Sequence, residues 1–204
     1  MMFVLFLCVL TLMILPAAGM ALPSAANRIG CNIMMQAFEN YLAKLKETAL
    51  DEQTEHTGRA ALEALLGVFA AKGKNIRVQH EPRQVQDKGA PDFRAIQNAM
   101  TLGYVEVKKV DADLAKVLKS DQIRKYLTLS GNIILTDYLH FILLGPKGVK
   151  QRASLAFSSD LEAKHLRIKP ENAAAVAEIL DLFFTQTPEG IGTSRCAGIR
   201  RDSE

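Results

Sequence analysis

Five short apolar segments of strand length, divided three and two by one helical stretch, leave few architectures open to this chain. The segments run from Ile76 to Glu81, Asp92 to Gln97, Gly103 to Lys108, Asn132 to Thr136 and Tyr138 to Leu144. The dividing helix extends from about Asp111 to Leu129, with Ser120 or Asp121 placed to cap a restart. Upstream, Phe38, Leu42 and Leu45 recur at helical spacing between about Met35 and Thr48, and a second amphipathic helix is predicted from about Thr54 to Ala71. A last helix, about Glu171 to Phe184, precedes a Gly- and Arg-bearing tail, residues 186–204, that shows no periodicity and is expected to be mobile. This order describes a compact α/β domain.

Composition excludes several classes. With 49% apolar and 23% charged residues in a chain of 204, a packed core is expected, and wholesale disorder or a collagen-like scaffold is not. Cys8, Cys31 and Cys196 form no C-x-x-C pair and no disulfide framework, which fits a reducing, cytoplasmic setting. The net charge of +3 says little by itself, but its distribution is uneven. Acids outnumber bases six to three from Glu39 to Glu63; bases outnumber acids six to three from Lys108 to Lys125 and six to two from Lys147 to Lys169. Residues 1–33 stand apart as a hydrophobic leader: the apolar run from Phe3 to Leu15, Pro16 and the small residues beyond read like the core and cleavage region of a secretory signal. No Lys or Arg precedes that run, so the alternatives are a membrane or exported protein with a genuine leader, or a protein whose true start lies near Met34 or Met35.

The chemistry concentrates at Gly89-Ala90-Pro91-Asp92-Phe93 and Gly103-Tyr104-Val105-Glu106-Val107-Lys108. Strand periodicity puts Glu106 and Lys108 on one face, about 7 Å apart, and Val105 and Val107 on the other. Asp92 joins them only where the hairpin sets it opposite Glu106 or Lys108, which demands an odd loop around Asn98 to Met100 or a bulge. Pro91, lacking a backbone donor, suits a strand start or a bulge. On the second helix, Leu62, Leu66 and Phe69 share a stripe with Glu55, so a carboxylate points inward. Two carboxylates converging with a lysine meet the needs of metal-assisted phosphodiester hydrolysis. Hard oxygens hold Mg²⁺, the ion polarises the phosphoryl group and acidifies its water, and the ammonium offsets developing charge. Asp92 and Glu106 would then be ligands, and Lys108 would position or activate the attacking water.

Pro91-Asp92, thirteen intervening residues and then Glu106-Val107-Lys108 resemble the signature of the PD-(D/E)XK nuclease superfamily. The resemblance implies a restriction-endonuclease-like core of order αβββαββ, with a mixed central sheet flanked by helices, across residues 34–185. It matches Glu55 to the acidic residue of the family's first core helix, and Gln122 with Tyr126 to the Q-x-x-x-Y element of one branch. It thereby implies a catalytic set of Glu55, Asp92, Glu106, Lys108 and Gln122, with Mg²⁺ held by Asp92, Glu106 and the backbone carbonyl of Val107. Together with Thr54-Glu55-His56-Thr57 and Leu135-Thr136-Asp137-Tyr138-Leu139, the two motif segments resemble the N-terminal nuclease domain of single-polypeptide restriction-modification enzymes, of the ISP type or type IIG-like, roughly from Met35 to Pro188. In those enzymes a methyltransferase and a target-recognition domain follow. Here neither a G-x-x-x-x-G-K-[ST] loop nor an N-P-P-Y or D-P-P-Y motif is present, so the expectation is a nuclease module cut away from its methyltransferase, or one that borrows a methyltransferase or specificity subunit from another polypeptide.

Arg83, Lys88, Lys109, Lys119 and Arg124, with Tyr126, are candidates to line a groove for double-stranded DNA, where phosphate contacts position the duplex without reading its sequence. A homodimer on DNA is compatible with this arrangement. His56, His80, His140 and His165 lack metal-ligand spacing, and Ser130-Gly131 lacks the frame of a nucleophile elbow. Three rivals remain: a catalytically silent nuclease fold that binds DNA or a partner, an exported or membrane-anchored binding protein supported by Phe3 to Leu15 alone, and a truncated remnant too small to act alone.

Overall fold

The computed structural model describes residues 25–80 and 90–186. The apolar run at the start of the chain and residues 187–204 of the tail expected to be mobile lie outside them. Helix α1 spans Ala25–Lys46 and α2 spans Arg59–Ala70. Three strands follow, β1 Ile76–His80, β2 Phe93–Gln97 and β3 Met100–Val107, then two short helices, α3 Leu114–Val117 and α4 Asp121–Leu127. Strands β4 Ile133–Thr136, β5 His140–Gly145 and β6 Gly148–Ser154 complete the sheet, before α5 Ser158–Glu162 and α6 Pro170–Thr185. The six strands lie in sequence order, antiparallel except for the parallel pair β3 and β4 that α3 and α4 bridge. The molecule is thus mixed α/β, a six-stranded mixed sheet flanked by helices.

Several expectations shift. The first helix begins at Ala25 rather than near Met35, so the boundary placed after residue 33 falls inside α1. The second starts at Arg59 and not at Thr54, because Thr57 Oγ1 accepts the Thr54 N–H at 2.9 Å and ties residues 54–57 into a turn. The helical stretch from Asp111 to Leu129 divides at the restart expected at Ser120 or Asp121. Asp113 caps α3, accepting from the Lys116 N–H at 2.9 Å, and Ser120 caps α4 by accepting from the Ile123 N–H, which ends one helix and starts the next. A sixth strand was not expected. β6 carries Lys150, Gln151 and Arg152 and is only partly buried, as suits an edge strand, so its residues lack the apolar alternation that marks a strand in sequence.

Both sheet faces are covered. Val105, Val107, Ile134, Phe141 and Leu143 pack with Phe38, Leu42, Leu62, Leu66, Phe69, Leu180 and Phe183 from α1, α2 and α6 in the main core. On the opposite face Ile133, Leu135, Ile142 and Leu144 pack beneath Leu114, Ile123 and Tyr126. Glu106 pairs with Leu135 and Leu135 with Ile142, so Glu106 lies on the α4 side.

Register decides whether Asp92 can reach it. The β2–β3 hairpin closes on a two-residue turn, Asn98 and Ala99, both with positive φ, between the paired Gln97 and Met100. An even loop of this kind would set Asp92 opposite Val105. The pairing slips between Ala95 and Ile96, however: Ile96 faces Thr101 while Ala95 faces Gly103, leaving Leu102 as an extra residue on β3. Beyond that bulge Phe93 pairs with Val105, and continuing the register puts Asp92 opposite Glu106. The Asn132 side chain braces the bulge, donating from Nδ2 at 2.9 Å to the Leu102 carbonyl and at 2.9 Å to that of Phe183.

Candidate active site

Four elements bring charged groups to the end of β3. Glu106 is its penultimate residue and Lys108 follows it; Asp92 precedes β2, Glu55 lies in the turn before α2, and Gln122 is on the first turn of α4. Lys108 Nζ donates to Glu106 Oε1 at 2.7 Å and to Glu55 Oε1 at 2.8 Å. Gln122 Nε2 reaches the same Glu106 oxygen at 2.7 Å and the Tyr126 hydroxyl at 3.1 Å. Asp92 Oδ2 accepts the Val107 N–H at 2.7 Å, while Oδ1 takes the guanidinium of Arg59. The structure therefore gathers all five side chains that the resemblance implied.

Glu55 is held through its backbone. The Tyr138 hydroxyl donates to the Glu55 carbonyl at 2.5 Å, and Tyr138 is itself fixed by the turn it sits in. Thr136 Oγ1 accepts the Tyr138 N–H at 3.0 Å, and Asp137 Oδ1 accepts those of Leu139 and His140 at 3.2 and 2.7 Å, holding Tyr138 at a φ of 75°. The Tyr138 ring lies so close to Gly58 that a Cβ there would stand 2.6 Å from it. That explains why a glycine joins the Glu55 turn to α2.

Electrostatics follow burial. Glu106 is 2% exposed, and burial, aided by the charges of Asp92 and Glu55, pushes its carboxyl from an ordinary 4.5 up to about 7 against the pull of Lys108. Burial also raises the Asp92 carboxyl, opposed by the Val107 N–H and by Arg59. For Lys108 burial acts downward, but its hydrogen bonds to Glu106 and Glu55 and their charges outweigh it, so the ammonium is stabilised. Burial raises the Tyr126 phenol to about 12.

The donor set has the chemistry of a hard-cation site. Glu106 Oε2 is buried and has no hydrogen-bond partner, a costly state for a carboxylate oxygen that a divalent ion would relieve. Asp92 and the Val107 carbonyl, at the end of the paired strand, supply the other oxygens that fit. Among the described residues no three His, Cys, Asp or Glu side chains converge as a ready-made metal cage. Lys108 and Arg59 instead stand on the carboxylates.

The groove residues divide. Lys109, Lys119 and Arg124 are exposed; Arg124 is engaged with Asp121 at 3.3 Å and with the Lys119 carbonyl at 2.9 Å. Arg83 and Lys88 lie outside the described residues. The expectation that Tyr126 touches DNA is corrected: it is 1% exposed, packs in the core beneath α4 and offers its hydroxyl to Gln122, because its i to i+4 spacing from Gln122 aims both at the sheet. Sequence reasoning missed Arg59, although it lies four residues after Glu55 and thus on the same stripe of the helix expected there. It also missed Tyr138 as the support of Glu55, and Asn132. A cavity of about 470 Å³ opens elsewhere on the α3 side, lined by Asp111, Leu114, Asp137, His140, Arg152 and Ser154 among others; none of the acids or cations at the end of β3 lines it.

No family model matches the chain, and no curated protein does. Solved structures do. One is a cryo-electron-microscopy structure of a DrdV–DNA complex, matched with a TM-score of 0.58 over 76% of this chain at 23% identity. The match spans 14% of the chain found there. At that identity the likeness is one of fold. The chain is a mixed α/β domain whose six-stranded sheet and flanking helices are consistent with a restriction-endonuclease-like core, similar in fold to part of a protein solved on DNA.

Proposed function

We propose that the domain is a Mg²⁺-dependent DNA endonuclease, the nuclease module of a restriction-modification system acting in the cytoplasm on double-stranded DNA. The observation that carries this reading is the buried Glu106 carboxylate, with one oxygen shared between Lys108 and Gln122 and the other without a donor, opposite Asp92. The fold likeness to part of a DNA complex adds support. Target recognition and modification would lie outside this domain, in further domains or in a methyltransferase or specificity polypeptide, and a second copy would serve the second strand.

Asp92, Glu106 and the Val107 carbonyl would hold the ion. When bound, it would polarise the scissile phosphate and acidify a water. Lys108, kept protonated by Glu55 and Glu106, orients that water and offsets the charge gathering on the phosphorus oxygens. Glu55 would fix Lys108 and Gln122 would fix Glu106, so that the water is held in line with phosphorus; its oxygen would bond to phosphorus as it gives a proton to solvent, and the leaving oxygen would take a proton from solvent as its P–O bond breaks. The rival reading, a silent binding module, draws on the Arg59–Asp92 pair, which neutralises one ligand. Plasmid nicking separates the two. The active-site reading expects nicking with Mg²⁺, none with EDTA, and a loss of about 100-fold or more in Lys108→Ala. Equal nicking by mutant and wild type defeats it, and indifference to Asp92→Ala in DNA binding and cleavage favours the silent module.

A further inference from the structure

Among the described residues, Arg59 is the one charged group at the end of β3 that the proposed chemistry leaves without a task. It is the first residue of α2, its side chain is 11% exposed, and its guanidinium sits on Asp92 Oδ1, with Asp92 at 9%. The other oxygen, Oδ2, is already taken by the Val107 N–H. Arg59 therefore occupies the face of Asp92 that a divalent ion would need. Charge balance points the same way. Among the described residues, Glu55, Asp92 and Glu106 against Lys108 and Arg59 carry one net negative charge when all are ionised, so a divalent ion entering beside Arg59 would leave this set net positive. Without the guanidinium the same ion would bring it to neutrality. In a buried site the repulsion between a guanidinium and a divalent ion sharing one carboxylate is poorly screened.

We infer that Arg59 is a resident counter-cation that competes with the divalent ion for Asp92, so that the ion binds by displacing Arg59 from Oδ1 and the affinity of the site is set by that exchange. The inference rests on the metal reading above. It makes Arg59 a positioning residue: it holds Asp92 in the metal-free protein and yields it when the ion arrives. Arg59 stabilises the empty fold at the expense of metal affinity, as expected where breaking a buried ion pair leaves one charge without its partner.

The test is calorimetric titration of Mn²⁺ into the DNA-free full chain, with wild type, Arg59→Gln, Arg59→Lys and Glu106→Gln. Arg59→Gln, which keeps a hydrogen-bond donor for Asp92 but removes the charge, is expected to bind Mn²⁺ at least tenfold more tightly than wild type. Arg59→Lys, which keeps the charge, should bind within about twofold of wild type. In EDTA the Arg59→Gln protein should melt below wild type, and saturating Mn²⁺ should narrow the gap. Unchanged or weaker Mn²⁺ binding by Arg59→Gln, while Glu106→Gln has lost it, overturns the competition and leaves the metal site standing. Absence of Mn²⁺ binding to wild type, or binding that Glu106→Gln does not weaken, removes the metal reading and this inference with it. Should Arg59→Gln fail to fold, the wild type supplies the answer by NMR: Mg²⁺ should shift the Arg59 Nε–H signal, assigned by its loss in Arg59→Lys, and a signal unmoved at saturation rejects the exchange.

Discussion

Glu106 sits in surroundings far from those of a solvated carboxylate, and its protonation links stability to pH. Its folded pKa of about 7 lies above its ordinary value of 4.5, so the folded state binds the proton more tightly than the unfolded chain does. That contribution is fully present below 4.5 and is lost as pH rises through 7. In EDTA, the melting temperature is therefore expected to fall between pH 5 and pH 8, a loss of order 2–3 kcal/mol, and Glu106→Gln should flatten the decline in a calorimetric pH series. Asp92, also shifted upward by burial, adds a loss of the same sign as pH rises through its own titration. Tyr138→Phe tests the support of Glu55. Losing the hydroxyl donor to the Glu55 carbonyl should cost about 1 kcal/mol in urea unfolding and slow nicking severalfold, since Lys108 loses a fixed partner. Asp92, Glu106 and Lys108 were legible because their types and spacing announce a chemistry. Arg59 was not, because a lone arginine in a helical stretch reads as surface charge until Asp92 is seen against it.

At the scale of elements, the hairpin between β2 and β3 does the positioning, and its bulge depends on a residue in a distant loop. Asn132 supplies the donor for the Leu102 carbonyl at the bulge and for Phe183 at the end of α6. Asn132→Ala should leave both carbonyls without it, costing about 2–4 kcal/mol in a denaturant titration and weakening Mn²⁺ binding as the register loosens. The strands and long helices were readable from periodicity, since β3 to β5 are apolar and α6 keeps its 3.6-residue stripe. The bulge was legible only as one of two ways to satisfy the spacing. The restart at α4 was legible in the capping Ser120, whereas β6 was hidden because an edge strand has no need of an apolar pattern.

For the whole molecule, the modest net charge of +3 and the exposed Lys109, Lys119 and Arg124 predict weak, sequence-indifferent binding to duplex DNA. Two or three neutralised phosphates would give a slope of about −2 to −3 in log affinity against log salt, measurable by fluorescence anisotropy between 50 and 200 mM. A flat response would place the binding surface elsewhere. The α/β class and the layered sheet were visible in the order of segments, whereas the coverage of both faces emerged only from how the strands register.

The extra residue at Leu102 also bears on how such motifs are to be sought in other chains. Across a tight two-residue reversal, facing partners differ by an odd number in the sequence, yet Asp92 and Glu106 differ by fourteen. Parity is thus a signature. A homologue that kept the reversal and the spacing but lost the bulge would set its aspartate opposite the residue before the glutamate and turn it toward α1 and α2, whereas one that dropped the extra residue together with the bulge would still bring the two acids face to face.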